Sequence, residues 1–269
     1  MKKLMFLLTG LVFINMAYSY DIKPALGING VNLDQIDVDQ MVQEKKLYES
    51  DPTQCSAIVY ILYGSAKATL DQEEEDVIQY NDRIVSRDTI VKAKGFLMET
   101  VFKHKNKSTR AFAGGAIAYA FPRDPKISEW LFDQYFFHDL DARGKGSLLN
   151  IIKKGGYDDP YAKIVVKDGL MANSAGQVIN AVSCISNNKD RYPEALPDLL
   201  ASLLSLEERY KNNKSFELKV KYAGGISVCY LQLMRAISGY DEVKVYRPVI
   251  QKILKKNNRT VPGMILIQK

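Results

Sequence analysis

The sequence predicts an all-α fold, an irregular solenoid of antiparallel helix pairs. Three observations predict it. Apolar residues recur at helical spacing through most of the chain, with no sustained two-residue alternation outside a short N-terminal arm and the last ten residues. Helix start signals follow one another at short intervals. An Ala-Gly pair recurs in three apolar helices, and each of these is followed by a polar turn and a second apolar helix.

Residues 1–19 read as a secretory signal peptide. Met1, Lys2 and Lys3 supply a cationic start, residues 4–16 an apolar run, and Ala17 and Ser19 the small residues at the −3 and −1 positions of a cleavage site. The run is too short to cross a bilayer, which takes about 20 apolar residues. The first cysteine is Cys55, too distant for a lipid-anchored start. No later segment is long and apolar enough to span a membrane, so the mature chain is expected in the periplasm or secreted.

Residues 20–36, rich in Gly, Pro and Asn, read as an extended arm, and residues 37–258 as the helical-repeat domain. Capping boxes are expected at Asp37 with Gln40 and at Thr69 with Gln72. Three Asp-Pro pairs mark helix starts: Asp51-Pro52, Asp124-Pro125 and Asp159-Pro160. The Asp oxygen accepts orphan N–H groups of the first turn, and Pro gives up a donor that had no partner there. Pro193 and Pro248 are expected to start helices by the same logic, with Ser86 and Ser215 as further caps. Residues 259–269 form a tail that can dock as a strand or a short helix.

The recurring pairs are Ala113-Gly114, Ala175-Gly176 and Ala223-Gly224. A small residue at the same place in each first helix lets a neighbouring backbone approach closely. Gly inside a helix costs about 1 kcal/mol relative to Ala, so its recurrence points to packing. The turns that follow are at 122–125, 187–190 and 238–241, and the second helices run through Trp130, Leu199 to Leu206, and Val249 to Leu254. Over residues 86–256 this helix–turn–helix pattern resembles the HEAT-like, armadillo-type helical-repeat superfamily. The resemblance implies a curved face presented to protein partners. It carries no catalytic residues.

Composition narrows the function classes. The chain has 269 residues, 46% hydrophobic and 25% charged, so it is neither disordered nor fibrous. Two His and three Cys cannot build a Cys/His-rich metal module or a disulfide-dense scaffold. Export would lower the formal charge of +6 by the two lysines of the signal. The remaining excess is mild and fits an acidic partner or an anionic surface without demanding either, and nucleic acid is not expected in that compartment.

Each candidate site has a plain alternative. Asp139, Asp141 and Gly144 fall at positions 1, 3 and 6 of a calcium loop, but Arg143 and Asn150 occupy places that need oxygen ligands and a bidentate carboxylate. The stretch reads as a Gly-rich turn. The acidic run at 71–76 suits general acid–base work, or the positive end of a helix starting at Thr69. Basic clusters at Lys103, Lys105, Lys107 and Arg110, at Lys153-Lys154, at Lys211 with Lys214, and at Lys255-Lys256 with Arg259 either merge into a ridge or simply favour helix ends and solubility. His104 is expected in an exposed loop and His138 half-buried in packing. Cys184 and Cys229 are the pair to test for a disulfide, although packed helix axes sit about 8–10 Å apart, which favours buried free thiols.

No catalytic, cofactor-binding or metal-binding residue is assigned. The expectation is a non-catalytic exported protein that binds a protein partner in the cell envelope, in the manner of an inhibitor or immunity protein. The alternative is a carboxylate-dependent cell-envelope enzyme such as a peptidoglycan hydrolase, with Glu99, Glu129 and Asp133 as its acids.

Overall fold

The computed structural model describes residues 23–71, 83–212 and 225–256. These fold into fourteen α-helices and three short 3-10 turns, with no strand among the described residues. The helices are α1 (Lys23–Leu26), α2 (Val38–Met41), α3 (Leu47–Ser50), α4 (Pro52–Asp71), α5 (Arg87–Lys92), α6 (Lys94–Lys103) and α7 (Lys107–Ala120). They continue with α8 (Pro125–Phe137), α9 (Ala142–Gly155), α10 (Pro160–Met171), α11 (Ala175–Asn187), α12 (Leu196–Asn212), α13 (Gly225–Ser238) and α14 (Val243–Lys256). No helix of the described residues is long and apolar enough to cross a membrane.

Local chemistry sets most boundaries. Asp124 accepts from the N–H of Lys126 and Asp159 from those of Tyr161 and Ala162, each just before a Pro that opens its helix. Ser86 accepts from the N–H of Thr89, and Asp51 from that of Gln54. The α9 helix ends on Gly156 in the left-handed region (φ 64°), whose N–H returns to the Ile152 carbonyl. Asp124 also meets Lys94 Nζ at 2.8 Å. Burial pushes its carboxyl up, but the hydrogen bonds from Lys94 and the Lys126 N–H outweigh that and hold it below its ordinary value.

Three start signals act differently from expectation. Thr69 starts no helix: α4 runs through it from Pro52 to Asp71, carried by a buried face that includes Cys55, Ile58, Ile61, Leu62 and Ala66. Pro248 lies inside α14, and Pro193 opens only a 3-10 turn before α12. Residues 23–36 take helical turns at α1 and Leu33–Gln35 instead of an extended course. Leu26, Ile28, Leu33 and Ile36 are apolar enough to bury themselves in the core. Ser215, Lys214, Arg259, residues 72–76 of the acidic run and the tail lie outside the described residues.

The long helices pack in sequence. One series is α4, α7, α9, α11 and α13, each against the next. The other contains α8, α10 and α12, again in succession, and its members lean on α9, α11 and α13. One continuous core lies between them, with Ile117, Leu131, Leu149, Val165, Val182, Leu199 and Leu233 fully buried. A fully buried side chain of this kind contributes about 1.5–3 kcal/mol.

The turns that follow α7, α9, α11 and α13 are tied in series. Tyr157 Oη donates to the Phe121 carbonyl (2.7 Å), Tyr192 Oη to the Tyr157 carbonyl (2.9 Å), and Tyr240 Oη to the Tyr192 carbonyl (2.7 Å). The partners stand 36, 35 and 48 residues apart. Other bonds span similar distances: Asn180 Nδ2 to the Gly146 carbonyl across 34 residues, and Cys184 Sγ to the Leu149 carbonyl across 35. Burial raises the hydroxyl pKa of Tyr157 and Tyr192, and that of Tyr240 to about 12, so all three stay protonated as donors near neutral pH.

The small residues of the repeated pairs have unequal roles. A Cβ on Gly114 would come within 2.9 Å of Ile151 Cδ1, so α7 and α9 do meet closely there. Gly176 is exposed in the first turn of α11, with nothing nearer than Ser174 Oγ at 3.9 Å, so it serves no crossing. Gly224 lies outside the described residues. The tight approaches fall elsewhere. Gly169 on α10 faces Leu149 Cδ1 at 2.8 Å and Ala181 Cβ at 3.1 Å from where its own Cβ would stand. Gly155 leaves room for the Tyr157 ring.

Candidate functional site

Among the described residues, the candidate acids stand apart from one another. Glu99, Glu129 and Asp133 are all exposed, Glu99 paired with Lys103 and Asp133 with His138. His138, expected half-buried, stands in the open with its Nε2 3.2 Å from Asp133 Oδ2, because α8 ends at Phe137 and turns it outward. Among the described residues no group of three or more His, Cys, Asp or Glu side chains is placed to hold a metal ion.

His104 reverses its expected exposure: it is buried, 1% exposed, against the first turn of α4. Its Nδ1 accepts from the Asn106 N–H, so the proton sits on Nε2 and points to the Pro52 carbonyl at 3.0 Å. Ser56 Oγ lies 3.4 Å from that same Nε2 and 2.8 Å from Thr109 Oγ1. A nitrogen that already carries its proton cannot take one from Ser56, so this pair is a buried clamp and not a nucleophile with its base. Cys55, Cys184 and Cys229 are free and buried. Cys184 and Cys229 donate to the Leu149 and Ala175 carbonyls, and burial pushes all three thiols up to about 12.

Two surfaces stand out among the described residues. The first is a cleft of about 480 Å³ between the C-terminal end of α6, the N-terminal half of α7 and the N-terminal half of α9. Val101, Phe102, Leu140 and Ile151 form its apolar wall, and the Phe102 ring leans on Trp130 at 5.5 Å. Lys107, Arg110 and Arg143 supply its positive charge, with Asp139 and Asp141 at the edge. Asp141 is engaged as the cap of α9, its Oδ1 accepting from the Gly144 N–H at 2.7 Å. The cleft runs on across α9 into a shallower groove lined by Gly146, Ser147, Asn150, Ser174, Gly176 and Asn180. Thus the failed calcium loop and part of the first basic cluster meet in one place. Lys153 and Lys154 stand at the far end of α9, with Lys154 near Lys67 and Tyr119, so this cluster does not join the one at Lys107 and Arg110.

The second surface is aromatic. Phe136, Phe137 and Tyr161 are 38%, 73% and 40% exposed, and they gather around half-buried Phe132 at ring distances of 5.0, 6.1 and 5.3 Å. Ile164 extends the patch along α10. The sequence showed these aromatics but not their exposure. Four in seven residues of α8 cover more than one helix face, so some must point outward.

Compared with protein-family models, with curated proteins and with solved structures, the chain matches none.

Proposed function

We propose that the chain is an exported, non-catalytic binding protein, an irregular HEAT-like solenoid that holds a protein partner in the cell envelope. The observation that carries this reading is the aromatic patch of Phe132, Phe136, Phe137 and Tyr161 on α8 and α10. Clustered exposed aromatics are costly to leave in water and are the usual anchors of protein interfaces. The solenoid reading is supported by the tyrosine-to-carbonyl series, whose spacing of 36 and 35 residues matches one helix pair per step. The export reading rests on the first nineteen residues alone.

The test uses the tagged full chain in a bacterial host. N-terminal sequencing of the periplasmic product begins at Tyr20 if the leader is cleaved as expected. Partners are then captured with the wild type and with the Phe136→Ser/Phe137→Ser variant, whose replaced side chains are exposed and leave the core intact. A protein held by the wild type and lost by the variant supports the reading. Equal retention by both, or release of soluble fragments from cell-wall material by the pure protein, overturns it.

A further inference from the structure

We propose that the cleft between α6, α7 and α9 binds the free carboxyl terminus of a polypeptide that ends in an apolar residue. The proposal rests on the reading of the chain as a binder of proteins, but at a surface separate from the aromatic patch. Three features of the cleft carry it.

The first is misplaced charge. Lys107 opens α7 with Arg110 one turn on, and Arg143 is the second residue of α9. The positive end of a helix dipole disfavours cations at these places. Lys107, Arg110 and Arg143 form no ion pair among the described residues, and the two carboxylates at the edge, Asp139 and Asp141, leave the cleft with one cation in excess. Arg110 is steadied by a bond from its Nη1 to the His104 carbonyl at 2.8 Å and keeps further N–H groups to donate. Local rules broken together at one cleft point to a ligand, here an anionic one.

The second is the apolar wall. Val101, Phe102, Leu140 and Ile151 share the same 480 Å³ with the three cations. A ligand therefore needs an anion and an apolar group within one residue's reach of each other. The last residue of a polypeptide carries both, and a planar carboxylate suits a guanidinium fork.

The third is the asymmetry of charge along the groove. Past Arg143 the floor is small and neutral: Gly146, Ser147, Gly176, and the amides of Asn150 and Asn180. The side-chain amide of Asn150 makes no hydrogen bond among the described residues and can pair with a passing peptide group. An acidic tract would want cations along the whole groove. A chain with one charged end and a neutral body matches what is there.

The experiment titrates the isotope-labelled full chain with three short acetylated peptides while amide resonances are followed. One ends in Phe with a free carboxylate, the second is its C-terminal amide, and the third is amide-ended with an internal Asp. The free acid is expected to saturate at low-millimolar concentration and to move resonances of 101–114 and 139–151. The amide should bind about tenfold or more weakly, the loss expected for a charge-assisted hydrogen bond. Arg143→Gln and Lys107→Gln, both at exposed positions, should weaken the free acid to a similar degree. Phe136→Ser/Phe137→Ser should leave this affinity unchanged, so failure at the patch and failure at the cleft read out separately. Absence of saturable shifts, equal affinity for acid and amide, or equal affinity for the internal Asp overturns the proposal.

Discussion

Tyr192→Phe tests the tie between successive turns. The substitution removes one oxygen atom from a residue 4% exposed, so it opens almost no cavity. What it deletes is the 2.9 Å bond from Tyr192 Oη to the Tyr157 carbonyl. A neutral hydrogen bond contributes about 1 kcal/mol net, and a buried carbonyl left without a donor costs more, so the loss should be about 1–2 kcal/mol. In a chain of this size that lowers the unfolding midpoint by about 2–8 °C. The acceptor is a main-chain oxygen, so Tyr157→Phe does not remove it, and the effects of Tyr157→Phe, Tyr192→Phe and Tyr240→Phe should nearly add. Together they should cost about 3–6 kcal/mol. Thermal and urea unfolding followed by circular dichroism provide the assay. Tyr119→Phe is the control, since that ring is half-buried against Tyr63 and should change stability by about 0.5 kcal/mol or less. If Tyr192→Phe proves no less stable than Tyr119→Phe, the ties between turns do not hold the layers together.

Other substitutions probe other links. Gly169→Ala should cost about 1–3 kcal/mol, because Ala181 Cβ cannot retreat as a flexible side chain would, while Gly176→Ala should be neutral or add up to about 1 kcal/mol; urea midpoints separate them. His104→Ala should cost about 2–3 kcal/mol in the same assay, because it strips both the Asn106 N–H and the Pro52 carbonyl of a buried partner. The folded chain holds the Cys55, Cys184 and Cys229 protons up to about pH 12, whereas unfolded thiols release theirs near 9. Their stabilising effect is therefore complete below about pH 9 and declines as pH rises toward 12, which urea midpoints measured through that range will show as a fall. All three thiols should also resist a thiol reagent until urea is added.

Local signals were the easiest to read. Asp51, Asp124, Asp159 and Ser86 cap helices because a short acceptor ahead of a first turn acts without help from the rest of the fold. Thr69 and Pro248 misled for the opposite reason: an apolar face already packed in the core carries a helix through a local start signal. Burial was harder to read. His104 sits among lysines in the sequence, and only the docking of α4 against α7 closes over it. The ties between turns were present as Phe121, Tyr157, Tyr192 and Tyr240, each leading into a polar turn residue or Pro, but the Ala-Gly pairs drew attention to helix interiors instead. The Ala-Gly pairs also skipped α9 and α10, which lie between the first two of them and carry no such pair. The cleft was legible only in pieces, since Arg110 and Arg143 lie on different helices.

The tyrosine bonds fasten the trailing ends of α7, α9, α11 and α13, whereas the cleft and its groove lie over the leading halves of α7, α9 and α11. The leading side has ties of its own, from Asn180 Nδ2 to the Gly146 carbonyl and from Cys229 Sγ to the Ala175 carbonyl, but among the described residues no such bond joins the leading halves of α7 and α9. Splaying should therefore concentrate between α7 and α9, at the cleft itself. A guest seated there would be gripped by a change in splay, with the Tyr157 bond at the trailing ends acting as the pivot.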